Sequence, residues 1–189
     1  MGSYYYLLAQ LPYPVFGQKP PMSSVEFKEL AMPLMDEKDA LLLAAINIDS
    51  HPVETSPLSG CDFIDKWREW ERALRLNLAK LRSVKIKREG YISVDPPGFP
   101  VDAVTAAAKA MQENPLEAEV LIDKARWSAI DSIQGNDYFD RNSVFAYLLK
   151  LMILERQASF QAETGFSEYE SLYASILEQS GTLTAGEFK

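Results

Sequence analysis

Between residues 63 and 81, six large apolar side chains, Phe63, Trp67, Trp70, Leu74, Leu78 and Leu81, recur at spacings of 4, 3, 4, 4 and 3. An α-helix, at about 3.6 residues per turn, brings that series onto one stripe. A strand would scatter it over two faces. The positions between carry Asp65, Lys66, Arg68, Glu69, Glu71, Arg72, Arg75, Lys80 and Arg82. A single helical pair such as Glu71 with Arg75, four residues on, adds only ~0.3 kcal/mol. Packing of other elements over the stripe must therefore hold this helix.

Proline and glycine punctuate the rest of the chain into further helical pieces. Pro12, Pro14, Pro20, Pro21 and Gly17 make the segment 11–21 a loop. Ser23 precedes Glu26 by three residues, the capping-box spacing, and predicts a short helix from about Ser24 to Ala31. Pro33 interrupts it, and Asp36 to Ile46 reads as a second helix with acidic residues at its positive end. Asn47 to Gly60, with Pro52, Pro57 and His51, reads as a connecting loop. Tyr91 to Pro100, with Pro96-Pro97-Gly98, is the second major break and the expected hinge or subdomain boundary. Val101 to Met111 is alanine-rich and helical by propensity. Asn114-Pro115 then supplies a cap and a first-turn proline for a helix running to about Ile130, with Val120, Trp127 and Ile130 toward the buried side. After a turn at Gly135-Asn136-Asp137, a long helix is expected from Asn142 or Ser143 to Glu163. Its apolar positions are Val144, Tyr147, Leu148, Leu151, Leu154 and Ala158, and Thr164-Gly165 supplies its stop. Ser167 and Glu170 repeat the capping-box spacing before a last helix carrying Tyr169, Leu172, Tyr173, Ile176 and Leu177. Only Tyr91 to Val94 and Tyr4 to Leu8 look strand-like. The expectation is an all-α fold, an irregular bundle of about six to seven helices, two of them long, forming a single domain over residues 1–189.

Composition narrows the function. Apolar residues at 47% and charged ones at 24% belong to a chain that folds rather than one that stays disordered. Nineteen Lys and Arg against 27 Asp and Glu leave a charge of -8, which repels a phosphate backbone. Nucleic acid is not an expected partner. The longest apolar stretches, Tyr4 to Leu11 and Ala40 to Ile46, are too short to span a bilayer. One cysteine, Cys61, offers no internal disulfide, and a cytoplasmic location is expected, with a membrane reached only through partners.

Nothing in the sequence has the layout of catalysis. His51 and Cys61 are single residues of their kinds, ten positions apart across a proline-containing loop. No Cys or His cluster has metal-ligand spacing, and Asn136, Asp137 and Asp140 are too sparse for a hard cation. No glycine-rich phosphate loop occurs. No catalytic residue, metal or cofactor is therefore expected, and the chain reads as a non-enzyme. Two features suit contact instead. Tyr4, Tyr5 and Tyr6 in succession cannot all face one core, so part of the cluster should reach the surface. Arg68, Arg72 and Arg75, at spacings of 4 and 3, line a basic stripe suited to steering onto an acidic protein surface.

Two stretches carry a resemblance. Tyr4-Tyr5-Tyr6-Leu7-Leu8-Ala9-Gln10-Leu11-Pro12, followed by Pro20-Pro21-Met22-Ser23 and Glu26-Phe27, resembles the start of a small bacterial family of uncharacterised proteins encoded among the subunits of V-type ATPases. Lys150-Leu151-Met152-Ile153-Leu154-Glu155-Arg156-Gln157-Ala158-Ser159-Phe160, with Tyr169 to Tyr173, resembles the same family. The later stretch is also similar to helices of the C or d subunit of V-type and archaeal-type ATPases, which seats the rotating shaft on the membrane ring. That subunit is usually much longer and built of three helical units. The resemblance implies a non-catalytic helical subunit or accessory factor of a bacterial V-type ATPase, partnered by its protein subunits. A stand-alone helical adaptor or assembly factor, and an enzyme whose site is made of carboxylates and arginines, stand beside it.

Overall fold

A computed structural model describes residues 4–48, 59–85, 98–111, 114–160 and 171–173. Among these residues the fold is all-α, with no strand. Among the described residues seven α-helices are delimited: α1 (Tyr5–Ala9), α2 (Ser24–Ala31), α3 (Glu37–Ala45), α4 (Asp62–Lys85), α5 (Val101–Ala110), α6 (Pro115–Gln134) and α7 (Arg141–Ser159). A 3-10 turn at Met32–Leu34 joins α2 to α3, where Pro33 denies the helix its amide. The chain divides into two compact units, residues 1–157 and 158–189. In the second, residues 171–173 are helical. The expected hinge at 91–100 and the strand-like Tyr91 to Val94 lie wholly or largely outside the described residues, as do the Thr164-Gly165 stop and the Ser167 cap.

Helix α4 follows the stripe read from its sequence. Phe63, Trp67, Trp70 and Leu74 are buried, and Leu78 and Leu81 pack partly buried against the core. Trp67 and Trp70 stack on each other at 5.7 Å, and Trp70 meets Phe99 at 5.6 Å just before α5 begins. Helices α4, α5 and α6 pack on one another. Residues Ser143 to Leu151 of α7 are all buried, with no exposed face among them. A helix apolar on every side belongs at the centre of a protein rather than at its edge. Side chains from the other helices reach it: Phe63 of α4 lies 6.2 Å from Phe145, and Phe27 of α2 lies 4.8 Å from Tyr147.

Helix ends are closed by the residues that the sequence places there. The Ser23 hydroxyl accepts from the Glu26 amide at 3.1 Å, while the Glu26 carboxylate accepts from the Ser23 amide at 2.8 Å. Asn114 caps α6 ahead of Pro115, and Gly135, at φ 74°, ends it in a conformation that L side chains rarely adopt. Asp140 accepts from the Ser143 amide at 2.9 Å and starts α7. Two closures are long-range. The Glu155 carboxylate of α7 accepts from the Ser24 amide at 2.6 Å, and the Lys28 ammonium of α2 donates to the carbonyls of Ala44 and Ile46 at the end of α3.

Several expectations are corrected. Tyr4 to Leu8 is not strand-like: Tyr5–Ala9 is a short helix, anchored because the Tyr4 amide donates to the Phe139 carbonyl at 2.8 Å. Three helices are long rather than two, because α6 continues four residues past Ile130 to reach 20 residues beside the 24 of α4 and 19 of α7. Val120 is exposed, since the buried face of α6 runs through Ala118, Ile122, Ala125, Ala129 and Ile130. Helix α7 ends at Ser159 rather than Glu163, and Ala158 is exposed beyond the buried stretch.

Leu148 has no exposed surface, so Leu148→Ala should lower the unfolding free energy by about 2–5 kcal/mol in urea denaturation. Leu41→Ala, at a position 66% exposed, should change it by no more than about 0.5 kcal/mol. Equal effects at the two sites would contradict the burial of α7.

Candidate functional site

The expected contact residues separate into three environments. Tyr4 is 7% exposed and belongs to the core, whereas Tyr5 is 61% and Tyr6 73% exposed. The Tyr4 hydroxyl donates to Asp39 Oδ2 at 2.7 Å and accepts from the Asp36 amide at 3.3 Å, which fastens α1 to the start of α3. Arg141 holds the other Asp39 oxygen at 3.2 Å. Burial first, then the bond to Asp39, push the Tyr4 phenol up to about 12. Tyr4 therefore positions its exposed neighbours and is not itself available for contact.

Around Tyr5 the fold assembles an aromatic surface that the sequence did not announce. Tyr13 is 80% and Tyr138 64% exposed, and Phe139 also reaches the surface, 4.6 Å from the Tyr5 ring. Tyr138 and Phe139 follow the Gly135-Asn136-Asp137 turn, and two rings crowded into a short link between long helices are the signal that could have identified them. A groove of ≈ 230 Å³ runs between residues 8–14 and the α6–α7 link, lined by Leu11, Tyr13, Tyr138, Phe139, Tyr147 and Lys150 among others. Its walls are braced. The Tyr147 hydroxyl donates to the Pro12 carbonyl at 2.9 Å, Phe16 meets Trp127 edge-on at 5.5 Å, and Asp137 Oδ1 accepts from the Phe139 amide at 3.1 Å. Lys150 is buried, paired with Asp131 at 2.6 Å and seated 5.3 Å from the centre of the Trp127 ring. Large aromatic surface held on fixed backbone is the composition favoured at protein contacts.

The basic stripe on α4 is narrower than its spacing suggests. Arg72 is exposed and Arg68 partly so, and neither forms an ion pair among the described residues. Arg75 instead turns inward, to Glu71 at 3.3 Å and the Ile48 carbonyl at 3.4 Å. Glu71 is buried, because its main partner is not Arg75 but Arg126 of α6. Arg126 grips it with two parallel bonds, Nε to Oε2 at 3.1 Å and Nη2 to Oε1 at 2.8 Å, and gives Nη1 to Asp123 at 2.9 Å. Arg156 of α7 donates to the same Asp123 oxygen at 2.8 Å and to Glu119 at 2.6 Å. Burial works against the Arg126 charge, but the bonds and charges of Glu71 and Asp123 outweigh it and raise its pKa. The network crosses α4, α6 and α7. Its sequence signal was Asp123 and Arg126 standing among the buried positions of α6.

Of the pair weighed for nucleophilic chemistry, Cys61 is buried and His51 lies outside the described residues. Among the described residues no group of three His, Cys, Asp or Glu is placed to hold a metal ion, and no helix is long and apolar enough to cross a membrane. A second groove, of ≈ 420 Å³, lies between Trp70, residues 98–103 and α6, lined mainly by small and apolar side chains.

Residues 100–179 are similar to a family described as "Protein of unknown function (DUF2764)". The matched stretch takes in α5, α6 and α7. No curated protein and no solved structure matches the chain.

Two outcomes follow from the buried polar groups. Arg126→Ala strands Glu71 and Asp123 without their shared cation and should cost about 3–5 kcal/mol in denaturant unfolding; a loss under about 1 kcal/mol would contradict the network. The Tyr4 phenol is neutral in the folded chain up to about pH 12 but titrates near 10.0 once unfolded. Its contribution to stability is therefore complete below pH 10 and lost as the pH rises through the folded value. Tyr4→Phe should make the decline in unfolding free energy between about pH 10 and pH 12 shallower, and an unaltered slope would count against the buried hydroxyl.

Proposed function

We propose that the chain works by contact rather than chemistry, as a non-catalytic helical subunit or accessory factor of a bacterial V-type ATPase, coupling the central shaft to the membrane ring. The observation that carries the contact reading is the exposed aromatic surface of Tyr5, Tyr13, Tyr138 and Phe139, held on braced backbone, with Tyr6 exposed on the same short helix as Tyr5. Single exposed rings are ordinary, but several on one rigid surface are not, because apolar area left in water costs about 25 cal/mol per Å². The choice of partner draws on the resemblance of Tyr4 to Pro12 and Lys150 to Phe160 to proteins encoded among V-type ATPase subunits. In this reading Tyr4 and Leu7 seat the N-terminal segment while Tyr5 and Tyr6 face the partner. Arg68 and Arg72 offer a second patch for an acidic surface.

A stand-alone adaptor or assembly factor would use the same surface but would be absent from the finished complex. An enzyme built from carboxylates and arginines would draw on the Glu71, Asp123, Arg126 and Arg156 network. Those groups are taken up with one another, which favours a structural role for them.

Affinity purification of the tagged chain from its native host tests the reading. ATPase subunits should accompany it at fixed stoichiometry, and Tyr6→Ser combined with Tyr138→Ser should reduce their recovery several-fold with the far-UV circular dichroism unchanged. Arg68→Glu with Arg72→Glu should act in the same direction. Recovery of other proteins alone would overturn the ATPase assignment, and recovery indifferent to both double variants would overturn the contact surface.

A further inference from the structure

The groove between residues 8–14 and the α6–α7 link has a charge pattern that selects among partners. The segments lining it, 8–14 and 134–150, carry four ionised side chains at neutral pH: Asp137, Asp140, Arg141 and Lys150. Arg141 is met by Asp39 at 3.2 Å and by the charge of Asp140 beside it, and Lys150 is met by Asp131 at 2.6 Å. Asp137 and Asp140 accept backbone amides but form no ion pair among the described residues. At the rim of the groove the link therefore presents the exposed Asp137 carboxylate, with no ion pair among the described residues, beside two exposed rings, Tyr138 and Phe139; Asp140 adds a second carboxylate, whose charge is shared with Arg141, and Tyr13 lines the same groove.

From this juxtaposition we propose that the groove docks an arginine-bearing segment of a partner protein. A guanidinium is planar, weakly hydrated and charged at every physiological pH, so it can lie on a tyrosine face while its edge meets a carboxylate. Lysine satisfies the charge but not the planar stacking. An acidic segment would meet Asp137 and Asp140, and an anionic membrane would meet the same repulsion. The -8 charge of the whole chain steers a basic partner toward it. Preorganisation favours the docking: Tyr147 fixes Pro12, Asp140 caps α7, and Asp137 holds the Phe139 amide, so little freedom remains to be lost. The proposal rests on the contact reading given above and names the partner's chemistry at that surface.

The test uses the full chain, uniformly labelled with nitrogen-15, titrated with four synthetic octapeptides of alternating glycine and one other residue: arginine, lysine, glutamate or proline. The arginine peptide should shift the amide signals of residues 136–143, bind more tightly than the lysine peptide, and weaken with added salt. Asp137→Asn with Asp140→Asn keeps both amide-accepting side chains and removes both charges, so it should weaken the arginine peptide about tenfold without changing the chain's thermal midpoint. Glutamate or proline peptides binding as well as arginine, no shift at 136–143, or an unchanged affinity in the double variant would overturn the proposal. The contact reading is judged separately by native copurification. If Tyr6→Ser with Tyr138→Ser abolishes copurification while the arginine peptide fails, the surface stands and the basic-segment assignment falls. If copurification survives that variant, the surface itself is refuted.

Discussion

Helix α7 is covered on every side from Ser143 to Leu151, and the arrangement of the rest follows from that requirement. An apolar cylinder cannot be shielded by one neighbour, so α2 and α4 each contribute rings against it through Phe27 and Phe63. Its polar members must be satisfied where they stand. Lys150 is met by Asp131 and Trp127, Ser143 by Asp140 and Gln134, and Arg156 by Asp123 and Glu119. Glu155, on the less buried flank, closes the start of α2. The shielding and the polar partners thus come from the same surrounding helices, which fixes their registers against α7.

The ion network is the second constraint and works differently. Burial of apolar area is tolerant of small shifts, whereas a forked Arg126–Glu71 pair is satisfied in one geometry only. Desolvating four charged groups removes much of what their attraction returns, so the network is better viewed as specifying how α4, α6 and α7 align than as a source of net stability. Asp123, shared between Arg126 and Arg156, couples the α4–α6 contact to the α6–α7 contact. Its second oxygen is also buried and meets no hydrogen-bond partner among the described residues.

Helix identity was legible wherever apolar spacing and end signals agreed. The α4 stripe, the Ser23 and Glu26 box, and Asn114-Pro115 were each found where the sequence places them. What escaped depended on three dimensions. Tyr4 to Leu8 reads as β-prone from its rings, but the contacts of Tyr4 with Phe139 and Asp39, 135 and 35 residues away, leave the segment helical. Glu71 and Arg75 looked like an exposed helical pair, and only the approach of α6 shows that Arg126 takes the carboxylate. The expected basic stripe lost Arg75 for the same reason. The aromatic surface was half visible: Tyr5 and Tyr6 were candidates by crowding, while Tyr13, Tyr138 and Phe139 gather beside Tyr5 only because the N-terminal segment folds against the α6–α7 link.

A buried spine packed by its neighbours leaves the link at its N-terminal end braced by hydrogen bonds and its rings outward, and the proposed recognition rests on that arrangement. Hydrogen exchange read by mass spectrometry, on the chain alone and in the complex isolated from its native host, tests this most directly. The account predicts that residues 143–151 exchange slowly in both states and that protection gained in the complex falls on residues 4–16 and 135–143. Protection gained elsewhere, with those two segments exchanging as in the free chain, would contradict it.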